Sequence, residues 1–444
     1  MEDLVKKYDK AVPRYTSYPP TPYWRGLGES NRPWLEDLES ALKEDKQLHL
    51  YVHIPFCEQL CWYCGCHRTI TKNLDKGEVF VDYLLKEWKL YTQRFPDFEI
   101  ISLHFGGGTP NFLRPPDLER LLKELSKRQS HKFEGSFELD PRNFSSSHLD
   151  VLIKYGFGKM SLGVQDMNLD VQQAINRVQP YELVKECYDQ LRSRDVQEIN
   201  FDLIYGLPKQ TTQTILETIE LVKELAPDTI AFYSYAHLPS RLSNQKLIKE
   251  NELLFGGAKR ELYEVGKKAL LEVGYKELGL DHFALPSSPL YLAHQEGTLK
   301  RNFMGHTKLE GDNIMALGPS SIAKGPHTFA QNEKKLKLYY ELLDRGEFPV
   351  VHGHIMSSWE IIIAKLLQDL LCHKRMNLAP LSEHPLFSKM RSALEGLKED
   401  GLVGIKDHAI TVQERGLPFL RNIAQCLDES FHLKSKQVSF SRTL

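Results

Sequence analysis

Residues 48–67 read LHLYVHIPFCEQLCWYCGCH, a β-rich run that ends at Pro55 and opens straight into four cysteines, Cys57, Cys61, Cys64 and Cys66. The run 48–55 is the first of six, followed by ISLHF (101–105), GSFELD (135–140), KMSLGV (159–164), EINFDLIY (198–205) and TIAFYSYA (229–236). Among them lie VFVDYLLKEWKLYTQRF (79–95), PPDLERLLKELSKRQ (115–129), SSHLDVLIKYG (146–156) and TTQTILETIELVKELA (211–226), whose apolar residues recur at the three-and-four spacing of amphipathic helices. Repeated βα units make a parallel sheet, and six in tandem favour a curved, partly closed barrel over a flat, doubly wound sheet. The expected fold is therefore α/β, a partial (βα)6 TIM-like barrel over residues 48–350.

Two further pieces flank it. Residues 1–47 lack a strong period but contain Arg14-Tyr-Thr-Ser-Tyr-Pro-Pro20, an extended aromatic stretch expected to pack on the barrel. In residues 351–444, Ser357-Ser-Trp-Glu360 reads as a capping box before the apolar face Ile361, Ile362, Ala364, Leu366 and Leu367. A second helix to Gly401, two strands (LVGIKD and AITV) and a helix with Leu417, Leu420 and Ile423 predict a small, mainly helical, winged-helix-like domain.

Composition excludes several classes. The 444 residues are 41% hydrophobic and 26% charged, which suits a folded core rather than a disordered chain. With 57 Lys+Arg against 59 Asp+Glu, the net charge of -2 leaves no basic footprint for nucleic acid or anionic membrane. No apolar run approaches a membrane span, and MEDLVKKYDK has no signal-peptide character, so a soluble, cytoplasmic protein is expected.

Four of the seven cysteines fall within ten residues, unlike a disulfide framework. A zinc knuckle would want a second ligand pair 12 to 20 residues downstream, and residues 68–103 contain neither Cys nor His. A C-x3-C-x2-C loop suits an iron–sulfur cubane better, because three thiolates leave one iron open to a non-protein ligand. Polar groups at later strand ends surround the same mouth. Gly106-Gly-Gly108 before Thr109-Pro110 lets backbone approach a ligand without an intervening Cβ. Glu138 ends the third run, where a carboxylate can accept from a ribose diol. Gln165 and Asp166 follow the fourth run, Asn176-Arg177 is placed in the following helix, and Asn200, Asp202 and His237 continue the series.

The loop spacing, with Tyr63 before the third cysteine, resembles the radical S-adenosylmethionine (SAM) superfamily, whose 4Fe-4S cluster cleaves SAM to a 5′-deoxyadenosyl radical. Nearly the whole chain is similar to the oxygen-independent coproporphyrinogen III oxidase family: Arg14-Tyr-Thr-Ser-Tyr-Pro, the Cys57 loop, the Gly106 turn, Glu138-x-Asp-Pro-Arg, Gly-Val-Gln-Asp, Asp202-Leu-Ile-Tyr-Gly-Leu-Pro-Lys-Gln, Tyr-Ala-His-Leu-Pro, Gly279-Leu-Asp-His-Phe-Ala and Arg301-Asn-Phe-x-Gly. The resemblance implies a barrel of the radical SAM type. It implies Cys57, Cys61 and Cys64 as cluster ligands, and SAM contacts from Tyr51, Tyr63, Gly107, Gly108, Thr109, Glu138, Gln165, Arg177, Asp202, Ala236 and Ile322, with a second SAM beside the first. The implied chemistry is oxidative decarboxylation of two propionates of coproporphyrinogen III to vinyl groups, giving protoporphyrinogen IX in haem biosynthesis; an electron-donor protein as partner and a monomeric state are further expectations.

Cys66 lies outside the three-thiolate pattern and is expected beside the chemistry, and Arg301 or Lys209 could pair a substrate carboxylate. A haem-chaperone relative keeps the cluster and SAM motifs but lacks both the fourth thiol and the Arg301-Asn302-Phe303 segment. His306 departs from the family, where an aromatic residue is expected. A third reading, an iron–sulfur sensor that binds nucleic acid or a protein through the tail, meets the objection that GLPFLRNIAQCLDESF is mostly apolar with one Arg, better suited to a lid over the barrel mouth.

Overall fold

The computed structural model describes residues 2–311, 313–433 and 440–442. All six expected strands form: Gln47–Ile54, Glu99–Gly107, Gln129–Leu139, Phe157–Gln165, Glu198–Tyr205 and Thr229–Ser234. They lie side by side in chain order and pair in parallel. Within these six the strand order does not reverse, so their crossovers turn the same way and the sheet curls instead of winding doubly.

The sheet stays open. Among the described residues it totals 12 strands: beyond the first core strand come Ile314–Leu317, parallel to it, and then Ile322–Lys324, Thr328–Asn332 and Val350–Ile355 as an antiparallel meander. Beyond the sixth lie His282–Ala284 and Lys276–Gly279, also antiparallel. Strand Val350–Ile355 carries the main sheet past residue 350.

Side-chain alternation explains where the core sits. Leu48, Leu50, Val52 and Ile54 are fully buried under the outer helices, together with Leu103, Phe105, Phe137, Met160, Leu162, Phe201 and Phe232. The helices answer with matching stripes: Phe80, Leu84 and Trp88 on Asp75–Arg94, and Leu118, Leu121, Leu122 and Leu125 on Pro115–Leu125. Helix Thr212–Leu225 starts at a capping box on Thr211 and ends at Ala226 in the left-handed region.

The N-terminal stretch departs from expectation, because it serves two cores. Trp34, Leu38 and Leu42 pack into the barrel core, but Leu4, Val5, Val12, Tyr15 and Tyr18 are buried in the core of the C-terminal unit. Tyr15 donates to Asp428 at 2.9 Å and Asn422 to the Tyr8 carbonyl at 2.9 Å, tying the two chain ends together.

At the C-terminal unit the capping box forms, with Ser357 Oγ accepting from the Glu360 N–H at 3.2 Å and Glu360 from the Ser357 N–H at 2.7 Å. Its sheet has three strands rather than the expected two, since Arg375–Asn377 adds to Ala409–Val412 and Val403–Lys406. That strand is only three residues long and directly follows a helix end at Lys374, too short to register as a period.

Candidate active site

The alternation that buries apolar side chains outward points polar ones inward. His49, Ser102, Glu134, Lys159, Asn200 and Asp202 line an inner cavity of about 210 Å³. An ordinary (βα)8 barrel fills this space with Val, Ile and Leu, so a polar interior marks a site. Above it, at the C-terminal strand ends, a cavity of about 500 Å³ is lined by Tyr51, Cys66, Gly107, Glu138, Arg301 and Ile322 among others. A third space of about 520 Å³, lined by Tyr63, Cys64, Cys66 and Ala236, meets it at Cys66.

The cysteine loop leaves the first strand and is held from several sides. Thr109 Oγ1 donates to Cys57 Sγ at 3.3 Å, Arg177 to Cys61 Sγ at 3.6 Å and Arg142 to the same sulfur at 3.7 Å. Asn244 donates to the Trp62 and Cys64 carbonyls at 2.9 and 3.0 Å, and Gln245 to the Tyr63 and Ala236 carbonyls at 2.9 and 3.0 Å. Burial pushes the Cys57 thiol up to about 11, whereas the neighbouring Cys66 thiol lowers that of Cys64.

Beneath the loop sits a buried ion cluster. Burial opposes ionisation of Asp140, but Arg177 at 3.1 Å and Arg142 at 2.6 Å outweigh it and hold the carboxyl at about 2. Three thiols with two guanidinium groups and a hydroxyl aimed at their sulfurs suit a polyanionic iron–sulfur cluster. Among the described residues no three of His, Cys, Asp and Glu stand close enough to hold a single ion, whereas a cubane needs only one thiolate on each of three irons.

Two glycines are required by close approach. A Cβ on Gly107 (φ +113°) would stand 2.5 Å from the His53 ring, and one on Gly318 (φ +94°) would strike the His53 carbonyl oxygen. His53 Nε2 in turn donates to the His67 carbonyl at 3.0 Å, which leaves Nδ1 to accept from Tyr51 Oη at 3.0 Å. Glu138 accepts from the Gly107 N–H at 3.2 Å and faces His104 at 3.3 Å. Asp202 accepts from Ser161 and Asn200, and burial, with the nearby Glu138 charge, raises it to about 6.

The sequence reading missed Glu87, on the outer helix Asp75–Arg94. Its fully buried carboxylate accepts from the Gly318 N–H at 2.8 Å, Tyr339 Oη at 2.5 Å and Asn332 at 2.6 Å, fixing the turn that leads to Ile322. A lone Glu on an amphipathic helix gives no sequence signal for this. Burial raises Glu87 from 4.5 to about 7. Its contribution to stability is complete below pH 4.5 and is lost as pH rises through 7. Glu87→Gln is therefore expected to flatten a pH dependence of about 3 kcal/mol, read from urea midpoints near pH 5 and pH 8. An equal slope in the variant would assign that dependence elsewhere.

Most of the expected residues converge. Tyr51, Cys66, Gly107, Glu138, Arg301 and Ile322 share the large cavity, and Asp202 lies in the inner one. Gly108 and Thr109 use their N–H groups on the Ile54 and Phe56 carbonyls at 2.8 Å each, clamping the root of the loop. Gln165 takes a left-handed φ of 67° beside Gly163, where Arg177 donates to the Gly163 carbonyl at 2.6 Å. Asn176 and Arg177 are not helical as expected. The helix stops at Ala174, Asn176 adopts φ 54°, and the next helix begins at Tyr181 after Pro180, so the intervening turn swings Arg177 under the loop. Lys209 is exposed and lines neither the large nor the inner cavity; its backbone takes a left-handed φ of 65° and its N–H donates to the Glu252 carbonyl at 3.0 Å. His237 is satisfied by Tyr235 at 2.8 Å and Glu250 at 3.2 Å.

A curved parallel sheet with this three-cysteine loop at the end of its first strand, above a polar interior, is the architecture of a radical SAM protein. The Radical SAM superfamily profile matches residues 51–222. Over 452 residues the chain is 34% identical to the oxygen-independent coproporphyrinogen III oxidase of Escherichia coli K12, covering 99% of this chain and 98% of the relative. The same-named protein of Helicobacter pylori J99 is 34% identical over 453 residues, 100% of this chain and 99% of the other. A solved structure of coproporphyrinogen III oxidase from Escherichia coli superposes with a TM-score of 0.88 at 33% identity, over 94% of this chain and 97% of that one. The chain belongs to the oxygen-independent coproporphyrinogen III oxidase family. Membership of the radical SAM superfamily brings a 4Fe-4S cluster and S-adenosylmethionine as cofactors. No helix among the described residues is long and apolar enough to cross a membrane.

Proposed function

We propose that this protein decarboxylates two propionate side chains of coproporphyrinogen III to vinyl groups without oxygen, yielding protoporphyrinogen IX. The observation that carries the proposal is the cavity of about 500 Å³ in which Cys66 and the SAM-side residues Tyr51 and Glu138 face Arg301. A propionate Cβ–H is too weakly acidic for any side chain to remove as a proton, and bound cluster and SAM supply the hydrogen-atom abstraction. Release of CO2 and of one electron to an acceptor then leaves the vinyl.

The chain's own part is positioning and shielding. Cys57, Cys61 and Cys64 hold the cluster, and Arg142, Arg177 and Thr109 offset thiolate charge by donating to sulfur. Tyr51, Tyr63, Gly107, Gly108, Thr109, Glu138, Gln165, Arg177, Asp202, Ala236 and Ile322 seat SAM, with room in the adjoining space for a second molecule. Glu138 and Asp202 accept from hydroxyl or amino groups of SAM. Each replaced by Ala is expected to weaken SAM binding by about 1 to 3 kcal/mol with iron content unchanged, and wild-type SAM affinity in both would overturn their role. Arg301 meets a propionate. The C-terminal segment closes the mouth with Leu417, Pro418, Leu420 and Arg421, which favours a lid over a nucleic-acid reader. A cytoplasmic monomer served by an electron-donor protein fits this scheme.

Cys66 separates this reading from a haem-chaperone role. Its accessible surface faces the cavity shared with Glu138 and Arg301. Cys66→Ser is expected to keep iron and SAM cleavage and to lose vinyl formation. Wild-type vinyl yield would remove the thiol from the chemistry, and loss of iron would make it a cluster ligand.

A further inference from the structure

Strands Lys300–Asn302 and Gly305–Thr307 form a short antiparallel hairpin beside the cavities, with Arg301 directly opposite His306. Directly opposed residues in such a pair present their side chains on one face. Arg301 lines the large cavity and His306 the inner one, and Met304, Gly305 and His282 line both, so the two side chains border one continuous space.

Among the described residues, four nitrogens here find no hydrogen-bond partner. Nε and Nη1 of Arg301 and Nδ1 and Nε2 of His306 are buried without a hydrogen bond. Native proteins pair nearly all such groups, and each one left unmade is costly. The neighbours do not relieve them: the His282 ring lies 4.6 Å from that of His306 but spends its Nδ1 on the Leu280 carbonyl at 2.7 Å. Elsewhere around the cavity Arg260 pairs with Glu264 and Lys267 with Glu277 at 2.5 Å, while Arg14 and Arg421 donate to backbone carbonyls. What the hairpin wants is an acceptor with two oxygens.

We propose that Arg301 and His306 form a clasp for a single propionate carboxylate of the substrate, the guanidinium taking one oxygen and the imidazole N–H the other. The inference rests on the substrate reading above and adds to it a second arm, at the position where relatives are expected to carry an aromatic ring. Of the substrate's parts only its carboxylates combine negative charge with paired oxygens, and a planar guanidinium is shaped for them.

The test uses the reconstituted protein with SAM under anaerobic conditions and two probes, coproporphyrin III and etioporphyrin, which has no carboxylates. Binding is read by fluorescence, and KM for coproporphyrinogen III alongside it. Arg301→Met is expected to weaken coproporphyrin III binding about tenfold or more, and His306→Phe by roughly half that factor. Neither should alter SAM affinity or the weak binding of etioporphyrin. Because both arms grip one carboxylate, Arg301→Met with His306→Phe should cost less than the product of the two single losses. Arg301→Lys and His306→Gln, which keep a donor, should recover part of the affinity, a rescue that a purely structural role would not give. Unchanged affinity and KM in both single variants, or losses in the double variant that multiply in full, would overturn the clasp while leaving the activity intact. Absence of coproporphyrin III binding and vinyl product in the wild type would instead overturn the substrate reading, and the clasp with it.

Discussion

Cys61→Ser is expected to abolish the visible iron–sulfur absorbance after reconstitution and to eliminate SAM cleavage. Cys61 is 7% exposed and its sulfur accepts from both Arg142 and Arg177. A serine hydroxyl stays protonated at neutral pH and cannot replace a soft thiolate on iron. The same holds for Cys57, whose sulfur takes the Thr109 hydroxyl, and for Cys64. Iron per chain, absorbance and 5′-deoxyadenosine release on one preparation of each variant check it. Full cluster content in any of the three would remove that thiol from the ligand set.

Arg177→Met is expected to lower stability by about 3 kcal/mol and to impair cluster assembly as well. The side chains of Arg177 and Asp140 are each 8% exposed, and the guanidinium also serves Cys61 and the Gly163 carbonyl. Its loss leaves Asp140 buried with Arg142 as its remaining arginine partner. Since Asp140 is held at about 2 against an ordinary 3.8, its contribution to stability is complete above pH 3.8 and fades as pH falls toward 2. The variant should lose part of that slope. A urea midpoint equal to wild type at neutral pH would show that the ion cluster is not needed for the fold.

The barrel was legible because two periods coincide. Residues 48–54, 101–105 and 198–205 alternate so strictly that one phase carries Leu50, Val52, Leu103, Phe105 and Phe201, all buried outward. The other phase carries His49, Ser102, Asn200 and Asp202, inward to the cavity. Strand-end motifs then led to the mouth, since Glu138 and the Gly107 turn are adjacent in sequence to the strands that present them. Legibility failed where long-range partners decide. Arg177 looks helical by composition, yet the left-handed Asn176 and the following Pro180 break the helix so that the guanidinium reaches Cys61. Glu87 is one charge on a helix until Gly318, 231 residues away, brings its N–H to it. The N-terminal stretch offered aromatic residues without a partner in view. Tyr15 and Tyr18 find theirs in Asp428 and the Glu429 N–H, at the far end of the chain.

The cavity between the cysteine loop and Arg301 is where propionates are proposed to become vinyl groups. Anaerobic incubation of the reconstituted protein with SAM, a low-potential reductant, an electron acceptor and coproporphyrinogen III, followed by mass analysis of the tetrapyrrole, tests it most directly. The expected result is loss of two CO2 per tetrapyrrole, one 5′-deoxyadenosine for each vinyl formed, and no product from the Cys66→Ser protein. Vigorous SAM cleavage with the tetrapyrrole unchanged would contradict it.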